Sequence, residues 1–435
     1  MNNKFDVVII GAGIIGACTA FDLVKRGYKV LNIDKQPAAG FGSTANTCAV
    51  IRTHYSTYQG TALAYENHFY WKNWAEFVEA GDESGLAQYR QTGIVAIKNS
   101  DSEIDKFREH HKELGIPYED WTPFQLKEKM PFFDLRSFWP PKRPDEEGFL
   151  EPTGDSIPGA FYVPVGGYIN DPTLSVQNVQ RAAEARGACF LFNEEVIEIK
   201  QADGRVCGVA LKNGQSVNAP VVINIAGPHS FVINEMAGVT QEMKIHTRAL
   251  RHEVHYTPAP EGVDYEKTGM LISDDDVGSY SRPEVGNTML IGSQDPPCDP
   301  QDWVEDPDNF DRDVSGEQWK AQVYRVAQRI PDLPIPTHPR GVVDLYDVSD
   351  DWIPIYDKSV LPGFYMAVGT SGNQYKNGPV VGQMMAALVD ACENGHEHDS
   401  DPVTIKGKYT DATLDLGFYS RLREINKDSS FSVLG

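Results

Sequence analysis

Hydrophobic patterning is densest at the start of the chain. In "FDVVIIGAGIIGACTAFDLVKRGYKVLNIDK", Val7 to Ile10 form an unbroken β-branched run. Such a run predicts a strand buried on both faces. The period then changes. Ile14 to Arg26 read as a helix closed by Gly27, and Tyr28 to Ile33 as the next strand, ending at Asp34. Residues 172–186 read as a second helix, with Pro172 near its start and Gly187 at its end. Residues 188–227 read as four short strands, with hairpin turns at Asp203-Gly204 and Asn213-Gly214. Residues 247–293 alternate apolar and polar, predicting an antiparallel sheet with one face over a ligand or the core. Phe364 to Val368 read as a buried strand, "GTSGNQYKNGP" as a glycine-rich loop, and Val380 to Ala391 as a helix. Pro/Gly-rich residues 140–160 and the acidic, Pro-rich residues 295–313 read as domain crossings or flaps.

At 435 residues the chain is long for one core, so two domains are expected. Apolar residues make up 41 %, with no run approaching the roughly 18 residues of a spanning helix. Asp6 and three glycines interrupt the N-terminal apolar stretch, which disfavours a signal peptide. A cytoplasmic protein without a membrane span is therefore expected. The net charge of −23 argues against a nucleic-acid partner. Cys18, Cys48, Cys189, Cys207, Cys298 and Cys392 lack CxxC spacing, so neither a disulfide framework nor a zinc site is expected. They read as core thiols.

The first chemical signal is Gly11, Gly13 and Gly16 in GxGxxG spacing between the strand and the helix. Gly11 permits the tight turn, Gly13 lets backbone approach a pyrophosphate, and Gly16 lets the helix lie on the strand. The helix start, Ile14-Ile15, offers free N–H groups and a positive dipole end to an anion. Asp34 ends the second strand, where it can accept from ribose hydroxyls, and it disfavours NADP. These residues do not separate NAD from FAD. Val221 to Ile225 lead into Ala226-Gly227, a second place where backbone can approach a cofactor.

The second signal is "GSTANTCAVIRTHYS" at 42–56. Arg52 follows a short apolar stretch and reads either as a solvated surface charge or as an anion ligand. His54 and Tyr55 flank it, as site-lining or core residues. Arg282 either reaches a pocket or pairs with Glu284 on the sheet. Arg251, Glu253 and His255 share one face of their strand, and Arg248, Leu250, His252 and Val254 the other. A solvated face is expected there, with a second cationic group for a dicarboxylate as the alternative. Tyr280 and Tyr346 are candidates for stacking on or hydrogen bonding to substrate. His396 and His398 have metal-like spacing in a segment that reads as a solvated loop, so no metal is expected. No Ser-His-Asp or paired-carboxylate constellation stands out.

Taken together, the GxGxxG unit, "GST" at 42–44, "INIAGP" at 223–228, "YSRPEVGNTMLIG" at 280–292, "DLYDVSDDWIPI" at 344–355 and "GFYMAVGTSGNQYKNGP" at 363–379 span almost the whole chain. In their order and spacing the chain resembles the FAD-dependent D-amino-acid-oxidase-like amine oxidoreductases, most of all the sarcosine and dimethylglycine oxidase branch. The resemblance implies an α/β fold: a Rossmann-type FAD-binding domain (1–88, 153–236, 341–435) and an α+β substrate domain on an antiparallel or mixed sheet (89–152, 237–340). It implies FAD laid along Gly11, Gly13, Ile14, Ile15 and Gly16, with Asp34 and Lys35 at the ribose end. Gly42, Ser43, Thr44, Asn46 and Thr47 would wrap the flavin. Val196 would contact the adenine side, Ala226 and Gly227 would line the path, and Gly372, Asn373, Gln374, Tyr375 and Lys376 would lie by the flavin pyrimidine.

The resemblance also implies that Arg52 pairs with a substrate carboxylate, assisted by Lys376. His54, Tyr280, Arg282 and Tyr346 complete the candidate catalytic set. The implied reaction is oxidation of a secondary or tertiary amine of an amino acid of the sarcosine, dimethylglycine or iminodiacetate type. Hydride passes to flavin N5, the imine is hydrolysed, and oxygen or another acceptor takes the electrons. The alternatives are a D-amino-acid dehydrogenase using a non-oxygen acceptor, a non-catalytic FAD-binding subunit, and an NAD-only dehydrogenase. The segment "STANTCA" at 43–49 contains no His and "GVVDLYDVSDD" no Cys, so FAD is expected to be non-covalent. Asn373 stands where the family loop has His. The oligomeric state is left open.

Overall fold

The computed structural model describes residues 4–79, 85–99 and 101–435, with backbone alone at 101–103. Its first sheet has the strand order Ile355–Lys358, Phe364–Val368, Val221–Asn224, Val7–Ile10, Val30–Ile33, Cys189–Leu191. All neighbours are parallel except the first pair. Successive side chains of a strand face opposite ways. Val7 and Ile9 therefore join a core with the helices Ile14–Lys25, Pro172–Ala185 and Gly378–Glu393. Val8 and Ile10 join a second core with the three-stranded sheet Val196–Ala202, Arg205–Leu211, Ser216–Asn218. Burial on both faces is why these strands lack alternation. Gly382 lets the last helix lie on the first, because a Cβ there would come within 2.6 Å of the Cys18 backbone.

Residues 188–227 hold five strands, one more than the pattern predicts. The run is shared between two sheets. Asn193, at φ +58°, turns the chain out of the first sheet after Cys189–Leu191, so the short edge strand and the next hairpin are separate elements.

Among the described residues the largest sheet is a nine-stranded mixed one. Thr247–Pro258, Thr288–Ser293, Ser279–Glu284 and Leu271–Asp274 form an antiparallel run, and Ile94–Ile97 continues it in parallel. Helix Gly316–Arg329 packs Trp319, Val323 and Val326 against Met289 and Ile291. Two strands cross the expected domain boundaries. Ala160–Val163 pairs with Ile94–Ile97, and Gly341–Ser349 pairs with Thr247–Pro258, so both belong to this second sheet.

The solvated face expected on Thr247–Pro258 is corrected. Arg251, Glu253 and His255 are buried. The acidic segment after residue 295 folds over them: Arg251 donates to the carbonyls of Asp311 and Asp313 and pairs with Glu253 at 2.7 Å. On the other face Arg248 is exposed, over the Trp303 ring, while His252 is buried. The loop around His396 and His398 is likewise only partly solvated, since His398 is buried and pairs with Asp357 at 3.3 Å. Among the described residues no group of three or more His, Cys, Asp or Glu side chains is arranged to hold a metal, and no helix is long and apolar enough to cross a membrane.

Candidate active site

The turn between the first strand and helix has no room for side chains. Gly11 sits at φ +109°, and a Cβ there would lie 2.2 Å from the Ile225 carbonyl oxygen. A Cβ at Gly16 would lie 2.0 Å from the Gly11 carbonyl oxygen. At Gly13 the nearest atom would be Thr44 Oγ1, at 3.0 Å. That hydroxyl also accepts from Ile14 N–H at 3.3 Å. The first helical turn, whose N–H groups lack intrahelical acceptors, faces open space. Asp34 anchors the turn by accepting from Ala12 N–H at 2.7 Å and Gln36 N–H at 2.8 Å. Each carboxylate oxygen has a second acceptor site, which remains for a ligand.

From this turn a cavity of about 850 Å³ runs between the two sheets. Gly42, Ser43, Thr44, Asn46 and Thr47 form one wall. Ser43 Oγ donates to the Leu345 carbonyl at 3.0 Å, and Asn46 donates to Asp344 at 2.7 Å, tying this loop to Gly341–Ser349. At one end lie Lys35, Val196, Ala226, Gly227 and His229, where Lys35 Nζ contacts His229 Nε2 at 2.8 Å and pairs with Asp308. At the other end lie Gly372, Asn373, Gln374, Tyr375 and Lys376, joined by Arg52, Cys48, Tyr280, Tyr346 and His252.

Arg52 is buried, and its guanidinium lies 4.2 Å from the Tyr55 ring centroid. It donates to the His54 carbonyl at 2.6 Å and to the Val433 carbonyl. The Asp275 carboxylate attracts it electrostatically. Burial lowers its pKa. Lys376 is buried beside it, and burial, then the Arg52 charge, pushes the Lys376 ammonium well below its ordinary range. Its Nζ donates to Asn373 O at 2.5 Å and to Tyr55 Oη at 2.9 Å. This end of the cavity therefore presents a guanidinium and an amine, and burial disfavours the charge of both.

The remaining candidates separate. Tyr280 lines the cavity, with its hydroxyl 2.9 Å from Cys48 Sγ. Tyr346 lines it too, stacked on His252 at 4.4 Å between centroids. His54 is corrected: its ring lies outside the cavity lining, tilted against Phe107 at 5.3 Å, and burial and the Arg52 charge push its pKa well down. For Arg282 the structure takes the second of the two alternatives, the pair with Glu284, and leaves it outside the cavity lining. It donates to the carbonyls of Cys48 and Pro283, pairs with Glu284 at 3.0 Å and covers the Tyr168 ring, so it braces the wall from behind.

A model of the DAO family, FAD-dependent oxidoreductases, matches residues 6–388. The chain belongs to this family. It is 23 % identical over 406 residues to glycine oxidase of Geobacillus kaustophilus, covering 91 % of this chain and 96 % of that one. It is 23 % identical over 403 residues to sarcosine oxidase subunit beta of Rhizobium meliloti, covering 88 % and 84 %. The fold matches the crystal structure of L-proline dehydrogenase from P. horikoshii with a TM-score of 0.74 at 21 % identity, over 96 % of this chain and 97 % of that one. The protein is an FAD-dependent oxidoreductase, and FAD is its cofactor.

The residues present fit that group. The glycine turn brings backbone close to the place of a pyrophosphate, with the Thr44 hydroxyl beside it, and the cavity continues past Thr44 to the Gly372 loop. Several lining residues escaped the sequence reading. Cys48 lines the cavity where a core thiol was expected, and burial raises its pKa. His252 lines it with Nε2 2.7 Å from Asp295; burial opposes its charge, but the Asp295 carboxylate prevails and raises its pKa. Strand alternation had placed His252 on a face without saying what covers that face. Asp347, Val433 and Leu434 also line the cavity, and no local pattern marked them.

Proposed function

We propose that this flavoprotein oxidises the secondary or tertiary amine of an N-substituted amino acid of the sarcosine, dimethylglycine or iminodiacetate type. The observation that carries this reading is Arg52. A buried guanidinium is costly unless it is paired. Here it meets the cavity with main-chain carbonyls as its hydrogen-bond partners. A planar fork of donors suits a carboxylate better than any neutral group.

Bound FAD supplies the two-electron acceptor for the C–H bond next to nitrogen. The chain's own contribution is positioning. Arg52 takes the carboxylate and fixes one end of the substrate. Lys376, held by Asn373 and Tyr55, lies beside it, and burial disfavours its charge. Tyr280 and Tyr346 shape the walls around the amine. FAD is held without a covalent bond: the one cysteine in the wrapping loop, Cys48, keeps its thiol proton under burial and faces the Tyr280 hydroxyl.

The test is anaerobic mixing of the yellow holoenzyme with N-methylglycine, N,N-dimethylglycine, iminodiacetate and D-alanine. Bleaching by an N-substituted glycine and not by D-alanine, lost in Arg52→Ala, supports the reading. Bleaching by D-alanine alone favours a primary-amine dehydrogenase. A spectrum that no amine changes favours a non-catalytic subunit.

A further inference from the structure

The acidic segment 295–313 carries one basic residue, Arg312. The segment crosses from the second sheet to the nucleotide end of the first. One side of it is fixed by Arg251, which holds the Asp311 and Asp313 carbonyls, and by Glu253, which accepts from Ser315 N–H at 3.0 Å. The tip is fixed by Asp308, whose carboxylate pairs with Lys35 and lies 3.0 Å from His229 Nε2. Lys35 follows the strand Val30–Ile33, and His229 follows Val221–Asn224. These strands flank Val7–Ile10, the strand that leads into the glycine turn. The tip is therefore tied down on both sides of that turn. Pro307, Asp308, Phe310 and Arg312 line the cavity.

Charge is short at this end. A diphosphate on the glycine turn is a dianion, and the turn offers it N–H groups and a helix dipole. The side chain that ends the next strand, Asp34, is an acid, and the chain as a whole carries −23. Of the basic side chains that line the cavity, Lys35 is matched by Asp308, and Arg52 and Lys376 lie at the other end. Arg312 remains. It is exposed, with its guanidinium 4.3 Å from the Phe310 ring centroid, and among the described residues it makes no ion pair. Its charge acts on Asp344, which accepts from Asn46, and so does that of His229. That places Arg312 between the wrapping loop and the nucleotide end, along the stretch where Thr44 meets Ile14 N–H.

We propose that residues 307–312 clasp the bound cofactor from the side of the second sheet, with Arg312 as the counter-charge for its diphosphate and the contact of Asp308 with Lys35 and His229 as the catch. A guanidinium fork meets phosphate oxygens two at a time. The Phe310 ring supports that fork with its face. The clasp acts on retention of the flavin, and it holds whichever amine the enzyme oxidises.

The test is FAD release from the diluted holoenzyme, read as the rise in free-flavin fluorescence. Arg312→Gln is expected to release FAD about tenfold faster than the wild type at low salt. At about 1 M salt, where the screening length falls to about 3 Å, that gap should narrow. Arg312→Lys keeps the charge and should recover most of the retention. Asp308→Asn weakens the catch and should speed release by less. Arg248→Gln is the control, because Arg248 is also exposed over an aromatic ring, that of Trp303, but lies outside the cavity lining. It should match the wild type. Release at the wild-type rate from Arg312→Gln overturns the clasp. Faster release that salt does not reduce and Arg312→Lys does not repair makes Arg312 a packing residue, and it overturns the counter-charge. If Arg312→Gln purifies colourless, its Kd for added FAD, from fluorescence quenching against apoprotein of the wild type, decides by the same criteria.

Discussion

Lys376 and Tyr55 share one acceptor. The Lys376 ammonium and the Tyr55 hydroxyl both donate to the Asn373 carbonyl, at 2.5 and 2.9 Å, and Lys376 also donates to the Tyr55 oxygen at 2.9 Å. The triangle joins the loop after Arg52 to the C-terminal glycine loop across the cavity floor. It holds Lys376 in place although burial disfavours its charge. Tyr55→Phe removes one corner. It is expected to cost about 1 kcal/mol of stability and to raise KM several-fold with a smaller change in kcat. Thermal melts and steady-state kinetics with a reducing substrate check this; an unchanged KM would mean that the triangle does not position the binding end.

The glycine turn makes a prediction about cofactor retention. Gly16→Ala places a Cβ 2.0 Å from the Gly11 carbonyl, which only backbone movement relieves. The variant is expected to purify largely colourless. Gly316→Ala, at a position with open space around it, is the matched control and should stay yellow. The ratio of flavin to protein absorbance reads both, and a fully yellow Gly16→Ala protein would refute the steric argument.

Asp347 predicts a pH dependence of stability. Burial raises its carboxyl from 3.8 to about 7, against the pull of the Gly369 N–H. Between about pH 4 and 7 the folded chain therefore holds a proton that the unfolded chain has released. The stability this contributes is full below about pH 4 and is lost as pH rises to about 7. Asp347→Asn removes the loss. The variant should melt progressively higher relative to the wild type from pH 4 to 7, with the gap constant above. A pH series of melting temperatures checks it, and a gap independent of pH would count against a buried titrating carboxyl.

The flavin should leave with acid. Cys48 faces Tyr280, and burial keeps it a thiol. Acid precipitation of the holoenzyme is expected to release all yellow colour to the supernatant, and Cys48→Ser should behave alike. Colour retained in the washed pellet would indicate a covalent link, and its loss in Cys48→Ser would locate that link.

A second buried network tests the union of helix and sheet. Arg329 is buried and pairs with Asp274 at 2.7 Å and Asp276 at 2.8 Å. Arg329→Met leaves two buried carboxylates without their cation, at an expected cost of about 3–5 kcal/mol. Urea unfolding should show that loss at pH 7 and a smaller one at pH 4, where Asp274, raised by burial, is more readily protonated. Equal losses at the two pH values would point to lost packing instead.

Much of this was legible in the chain itself. The strand, glycine turn, helix and second strand are local, and their signals lie within about 30 residues of one another. The loops that follow Gly42 and Gly369 could be located because glycine and small residues punctuate sharp turns. Even so, the four strands read in 188–227 were five, because the break between two sheets looks like any other turn.

What local pattern could not supply was the neighbour across the gap. Arg251 looked solvated because nothing nearby in sequence covers it; a loop some 60 residues on does. His54 and Arg282 carry the right chemistry and point away from the cavity. His252 and Asp295, the Cys48–Tyr280 contact and the meeting of Arg52 with Val433, 381 residues apart, arise only when sheets close on one another. The sequence alone determined the nucleotide-binding unit and the turn residues that a flavin cofactor needs, because backbone sterics and hydrophobic period act over short distances. The tertiary structure decided which of those residues reach the cavity and which carbonyls Arg52 meets, because burial and hydrogen bonding depend on contacts that no local pattern encodes.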